Sequence, residues 1–533
     1  MKRSRNVSGR SAAAGRVAAL CVSALCLSAL CLSALCLTWP VRHVALADDT
    51  TPGWWDPPPV ADDSAAQLQA FAERLERRWN GYANVPLDVK ARFFEWQLSR
   101  YHLSDHNQAF NRVRLAEAPH QRPVMLPGSD TSTWNGALLA ALSYEYAVTG
   151  DRDVLDRIAR LLQGMHLFFE VTGQQGLMAR CVVRSDGEAL DEMRANRYRA
   201  ADGHEYVYLG DPAKGTLNQI AIGYAVMMMH AYDDLPPQMQ QLARNDMHAM
   251  VVHLINHEYR LTNRDGKASP YGDVTPVVAS VGVPFNAQVA YLVVAVGYSF
   301  PSDQENVERR IREQFVRLRG EHHVYYQEPL RGIVLPQRIG GSPFLKGMND
   351  RNHVTNAAFT GLSLELDHAR RNHVEPNGKF LYRLGRTMYW SMRALDGQRN
   401  ALCNFMWAGI LSDQQVFEAI AKREQQEVAQ QVSRNLVDGV EQLRRFRLDR
   451  FIYDGHDVKT NQLQWNDRMR PDDYYWKADP RYVRATTGPR ENTVFCAIDY
   501  LAAYWLMRYY QLDTQPVVAR PYANILARTA DLR

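Results

Sequence analysis

The sequence predicts an all-α fold: an (α/α)6 toroid of six helical hairpins with short β-ribbon loops. Two observations predict it. Apolar residues recur at helical spacing in paired segments along most of the chain. One member of each pair is far richer in apolar residues, as in the runs at 221–229 and 290–298, which are apolar all round. A helix without a polar face must be buried on every side, and two concentric rings of helices supply that burial. A membrane span is the rival, but both runs are too short and are interrupted by Asn, Gln or Gly.

Taken in order, the inner helices are expected at 133–147, 215–233, 284–299, 351–368, 400–410 and 494–511. Their amphipathic partners are expected at 65–79, 152–166, 237–257, 304–319, 376–395 and 413–446. Stop signals separate them: Gly150-Asp151, Pro236-Pro237 and Pro301. Ribbon pieces fit near 179–184, 206–209 and 323–335. No Gly/Ser run, Pro-rich tract or charge block divides the chain, so residues 64–533 read as one domain behind a flexible segment at 48–63.

The first 47 residues read as targeting sequence. Lys2, Arg3, Arg5, Arg10 and Arg16 form a basic region, an apolar run follows from Val17 to Leu37, and Ala45-Leu46-Ala47 is an A-x-A-type cleavage site before Asp48. The run is long enough that an uncleaved anchor over 17–41 stays open as the alternative. Either way the body is expected to be exported, periplasmic or extracellular, touching the membrane only through this segment. Of the 62 Lys and Arg residues, six lie in residues 1–47, which hold no Asp or Glu. The remainder balances 56 basic against 58 acidic groups, which leaves no electrostatic footprint for nucleic acid. Four of the seven cysteines lie in the leader. Cys181, Cys403 and Cys496 sit among apolar neighbours and read as buried thiols, too few for a cysteine-built zinc site.

In an α/α ring the starts of the inner helices converge on the axis, and helix N-termini carry free N–H groups and partial positive charge. Polar residues there define four candidate constellations. Around 127–136, Asp130 and Trp134 with Asn135 suit a sugar: the indole stacks on C–H faces and the carboxylate takes hydroxyl protons or works as an acid or base. Helix capping by Asp130 explains the acid equally well. At 210–219, Asp211-Pro212 reads as an N-cap and N1 pair, followed by Lys214, Asn218 and Gln219 in an otherwise apolar helix. The Lys-Gly-Thr echo of a P-loop there lacks the first glycine and the strand. At 349–356, Asp350, His353 and Asn356 recur at three-residue spacing and can share a helix face, with His353 a candidate general base beside the carboxylate. The last, 465–476, is a loop dense in acids, Arg and aromatics ending at Trp476, readable as a lid or as a surface loop tied by ion pairs.

The expected site is therefore a polar funnel collecting Asp130, Asp211, Asp350 and His353 as candidate catalytic groups. Trp134, Asn135, Lys214, Asn218, Asp273, Asn356 and Trp476 are its candidate binding groups. No cofactor or metal is called for. The chain has no H-E-x-x-H, G-x-S-x-G, G-x-G-x-x-G or EF-hand loop; His322-His323 lacks metal-ligand spacing, and Asn263–Lys267 reads as a turn.

Four stretches carry a resemblance. They are Ser129–Trp134 with Tyr146–Asp151; Val171–Gly173 through Arg180; Tyr259–Leu261 with Asp265–Lys267 and Tyr271–Asp273; and Arg470–Tyr474 through Asp499–Leu501 with Tyr504–Leu506. They resemble a group of exported bacterial proteins associated with the six-hairpin glycosidase-like superfamily. The chain departs from that group at 211–219 and 349–356, where more acids or serines are expected. The resemblance implies an extracytoplasmic carbohydrate-active protein, a glycoside hydrolase if active, holding a glycan in a central funnel. A non-catalytic toroid binding a glycan or an envelope partner is the alternative, and a polysaccharide lyase or uronyl epimerase a second. An inverting hydrolase needs two carboxyls across the cleft; a lyase or epimerase favours a Tyr or His base with Arg or Lys neutralising a uronate.

Overall fold

The computed structural model describes Trp55, Pro57 and the chain from Ser64 to Asp513, except 118–122, 129, 187–195, 201–202, 277–284, 322–323, 326–337, 340–341, 344, 396–399, 422–423, 449 and 451–491. The described residues are mostly helical. The helices are α1 (Ala65–Arg78), α2 (Leu87–Gln97), α3 (Thr131–Thr149), α4 (Arg152–Glu170), α5 (Lys214–His230), α6 (Pro237–Asn256) and α7 (Phe285–Ser299). They continue with α8 (Glu305–Gly320), α9 (Leu345–Arg371), α10 (Gly378–Leu395), α11 (Ala401–Ile410), α12 (Gln414–Ala421), α13 (Gln425–Arg444) and α14 (Ile498–Tyr509).

Burial sorts them into two kinds. In α3 every residue from Thr131 to Glu145 is buried, in α5 every residue from Thr216 to Met229, and in α11 all of Ala401–Ile410. The amphipathic helices bury one stripe: α4 buries Val154, Leu155, Ile158, Leu161, Leu162 and Met165, and α8 only Ile311 and Leu318. The enclosed helices pack in a cyclic order, α3 on α5, α5 on α7, α7 on α9, α9 on α11, α11 on α14 and α14 back on α3. The striped helices lie against them: α4 on α3, α6 and α8 on α7, α10 on α9, α13 on α11 and α2 on α14.

α3 and α5 meet backbone to backbone. A Cβ on Gly136 would stand 2.5 Å from the Gln219 carbonyl oxygen, and one on Gly223 2.4 Å from that of Gly136. Backbone meets backbone here, which only glycine permits. The expected stop signals act as read: Gly150 ends α3 with φ +64°, Asp151 accepts from the Asp153 amide to cap α4, and Pro236-Pro237 starts α6.

Three elements differ from the sequence expectation. Leu87–Gln97 forms a further helix, because its short pattern buries Lys90 and Gln97 along with Phe93 and Phe94 and so shows no clean apolar face. Lys90 Nζ donates to the carbonyls of Arg444, at 2.5 Å, and of Phe446, and so satisfies the end of α13. The expected partner helix at 413–446 is two helices, α12 and α13. The helix expected from 351 begins at Leu345.

The ribbons are β1 (Arg112–Arg114), β2 (Val124–Leu126), β3 (Cys181–Arg184), β4 (Asn196–Arg199), β5 (Glu205–Leu209), β6 (Arg260–Thr262), β7 (Ala268–Asp273), β8 (Arg338–Ile339), β9 (Ser342–Pro343) and β10 (Thr493–Phe495). β1 pairs antiparallel with both β2 and β10, tying the segment before α3 to the one before α14. β3-β5-β4 forms a second sheet, and β6-β7 a hairpin whose tip is the expected Asn263–Lys267 turn, with Gly266 at φ +79°. The third expected ribbon falls largely outside the described residues. Cys181, Cys403 and Cys496 are free and buried; burial pushes the Cys181 thiol up to about 11 and the other two well above their ordinary value. Among the described residues no helix is long and apolar enough to cross a membrane; the run at 17–41 lies outside them.

Candidate functional site

The N-terminal ends of α3 and α5 meet through Thr133 Oγ1, which donates to Thr216 Oγ1 at 3.1 Å. From there a chain of polar and aromatic contacts crosses to α7 and α9. Lys214 Nζ donates to Asn286 Oδ1 at 3.1 Å and stands 4.8 Å from the centre of the Phe285 ring. Phe285 stacks on the His353 imidazole at 5.1 Å and 23°. His353 Nδ1 lies 3.1 Å from Asn218 Nδ2, while Asn218 Oδ1 is buried without a partner. Gly215 lets the imidazole close on α5: a Cβ there would be 3.2 Å from Nε2.

A second arm lies at the start of α3. The Arg180 carbonyl accepts from the Ser132 amide at 3.0 Å and from Ser132 Oγ at 2.9 Å. That supplies the helix cap, so the Asp130 side chain makes none. Its carboxylate pairs instead with Arg180 Nη2 at 2.9 Å. The Arg180 guanidinium also stands 5.7 Å from the ring of Tyr271, which is 58% exposed. The hairpin carrying Tyr271 is anchored by Ser269 Oγ, which donates to the Pro212 carbonyl at 2.8 Å. At its base Asp273 is exposed. Slight burial works to raise its carboxyl, but hydrogen bonds from Thr275 and the charges of Arg260 and Lys214 outweigh it and hold it below the ordinary range.

Several expected site residues are placed otherwise. Trp134 is 2% exposed and packs edge-on against Phe495 at 5.1 Å, so it belongs to the core and offers no open face to a sugar. Asn135 is fully buried and holds the backbone of Ala109 on both sides, with a further bond to the Thr131 carbonyl. Asp211 is not a cap: Ala213 occupies that position, and Asp211, at φ +52°, exchanges two bonds with Asn263, at 2.6 and 2.8 Å. It lines a separate cleft of about 540 Å³ with Tyr208, Asn196 and Arg264.

On α9, Asp350 is the sixth helical residue, beyond the first turn, and its side chain lies outside what the structure describes. His353 Nδ1 has the Asn218 amide as one partner. Asn356 is buried and accepts from Cys403 Sγ at 3.6 Å. Trp476 lies outside the described residues. The structure thus brings together Lys214, Asn218 and His353, with Asp130 on the neighbouring helix start. It adds Arg180, Tyr271, Phe285 and Asn286, which sequence reasoning did not single out as site residues. Arg180, just before β3, and Tyr271, in β7, stand far along the chain from the helix starts they serve, and the only sequence signal for them is the stretch carrying the resemblance.

Chemically, this assembly is better suited to holding an anion than to acid–base work. Each described acid already has a partner: Asp130 faces Arg180, Asp211 faces Asn263 and Asp273 faces Thr275. The Asn218 amide lies against His353 Nδ1 at 3.1 Å. Lys214, by contrast, carries a positive charge into the first turn of α5, which has no acid. Among the described residues it has no ion pair. Helix dipoles favour the opposite sign at that end. Among the described residues no three His, Cys, Asp or Glu side chains are grouped to hold a metal. No family model matches the chain, and no curated protein or solved structure shows significant similarity to it.

Proposed function

We propose that this chain is an exported carbohydrate-active protein, built as an (α/α)6 toroid, whose inner-helix N-termini hold an acidic glycan. The cyclic packing of α3, α5, α7, α9, α11 and α14, with striped helices against all of them but α5, supports the toroid. The observation that carries the ligand class is Lys214: a half-buried ammonium at a helix N-terminus, with neutral Asn286 and the face of Phe285 as its described contacts. A sugar carboxylate placed there gains the ammonium and the free N–H groups of α5 together. Exposed Tyr271 over Arg180 supplies a stacking face for a neighbouring ring.

Of the three readings, binding without turnover fits these contacts best, because the described acids are engaged. The hydrolase reading requires a second carboxyl freed across the cleft. The lyase or epimerase reading gains from Lys214 but requires a base.

The test is a glycan panel offered to the mature protein, with retention, new reducing ends and unsaturated products all measured. Retention of polyuronates without either product is the expected result. Reducing ends would establish the hydrolase, unsaturated products the lyase, and equal retention of neutral and acidic glycans would remove the anion argument. Export is tested separately: the mature N-terminus is expected at or near Asp48, and an intact leader on membrane-bound protein would favour the anchor.

A further inference from the structure

The C-terminal ends of the same helices enclose a second cavity, of about 550 Å³, independent of the reading above. Its floor is aromatic. Tyr144 near the end of α3, His230 at the end of α5 and Tyr509 at the end of α14 form a closed triangle of rings, with centres 5.4, 5.2 and 4.7 Å apart. Tyr510 adds a fourth ring, 4.9 Å from Tyr509 and packed against Gly409. Tyr144 and His230 lie 11 and 14 residues beyond Thr133 and Thr216. At the helical rise of about 1.5 Å per residue that is roughly 16–21 Å from the first site.

The rim has the opposite charge balance to the first site. Asp367, Glu375 and Asp413 line it against a single cation, Arg370. Arg370 is already paired with Asp367, which also accepts from Arg371 Nε at 2.8 Å. Glu375 and Asp413 are exposed and carry only weak or local contacts, Gln415 Nε2 at 3.5 Å and the Val416 amide at 3.0 Å. The imidazole brings no compensating charge: burial lowers His230 to about 4, so it is neutral at neutral pH. The ends of α5, α9, α11 and α14 that line the cavity add the partial negative charge of helix C-termini.

Aromatic faces beneath an excess of carboxylates and helix C-termini are the surroundings that attract a cation with an apolar skin. We propose that this cavity binds a small organic cation of the alkylammonium class, seated on Tyr509 with Glu375 and Asp413 at its rim. The anionic ligand of the first site and this cation would then occupy opposite ends of one set of helices.

The experiment is calorimetric titration of the full mature chain with choline and, in parallel, with dimethylbutanol, its uncharged isostere in which carbon replaces nitrogen. Choline is expected to bind saturably and the isostere far more weakly. Tyr509→Leu should weaken choline by about tenfold, the size of a partly desolvated cation–π contact. Glu375→Gln, an exposed position that leaves packing intact, should weaken it by about threefold. Equal binding of the isostere, unchanged choline affinity in Glu375→Gln, or no saturable choline binding would each overturn the proposal. Circular dichroism of Tyr509→Leu separates lost folding from lost binding, and Glu375→Gln carries the test if that variant fails to fold.

Discussion

The start of α14 and the start of α5 solve the same electrostatic problem in opposite ways. At α14 a buried cation faces the first helical turn, and a carboxylate answers it: Arg450 Nη2 bonds both oxygens of Asp499, at 2.9 and 3.0 Å, and the Cys496 carbonyl at 2.9 Å, with both side chains buried. At α5 the cation is Lys214; the described structure gives it an amide and a ring as direct contacts, and an acid, Asp273, acts on it only through charge, without an ion pair. The first arrangement is what a protein builds to hold itself together; the second leaves charge available to something else. A residue's type and its place at a helix start do not decide between structure and binding. What decides is whether its partner comes from the chain.

That comparison is broken most sharply at α14. Asp499→Ala leaves the Arg450 guanidinium buried beside an empty position, and loss of one member of a buried pair costs about 3–5 kcal/mol. Urea denaturation should show that loss, with any glycan retention by the surviving folded protein unchanged. A loss below about 1 kcal/mol would mean that the pair is solvated and that the contrast with Lys214 is false.

A second large effect belongs to the far end of α3. Burial and the charge of Glu95 push Glu145 up to about 8, against the pull of the Arg157 guanidinium. A carboxyl whose folded pKa exceeds its unfolded value of 4.5 holds more protons in the folded state between those values, so stability falls as pH rises through that window. Four histidines act the other way. Burial lowers His102, His106, His230 and His253 to about 4, so the unfolded chain binds more protons below about 6.5 and stability falls as pH drops from there towards 4. The thermal midpoint should therefore peak at about pH 6–7, and Glu145→Gln should flatten the decline from there to pH 8 while leaving the acid limb in place. A decline unchanged in Glu145→Gln would place its origin elsewhere.

The helical class is readable because one set of helices is apolar all round and its neighbours are striped, a contrast that survives in the sequence without any knowledge of packing. Leu87–Gln97 was not readable, since its buried Lys90 and Gln97 interrupt the pattern that would have announced it. The site was readable in part. Lys214 and Asn218 stand out as polar residues in an apolar helix, and His353 was named with them. Trp134 and Asn135 sit at a helix start as expected but face inward, and direction around a helix start is set by tertiary packing rather than by spacing. Asp211 reads as a cap because Pro follows it; the chain instead turns there through positive φ to meet Asn263, a partner 52 residues away.

Lys214→Met carries the smallest effect on stability. Removing a cation from a helix N-terminus should leave the protein unchanged or more stable by about 0.3–1 kcal/mol, while a structural lysine would show a loss.

The same substitution gives the most direct measurement of the central claim. Affinity for an acidic oligosaccharide and for its neutral counterpart should be measured by calorimetry on the wild type and on Lys214→Met, at low and at physiological salt. The account predicts that the wild type prefers the acidic sugar, that the preference shrinks with salt, and that Lys214→Met removes at least about tenfold of it with the neutral sugar unaffected and the fold intact. An acidic preference that persists in Lys214→Met, or an equal loss for both sugars, would contradict it.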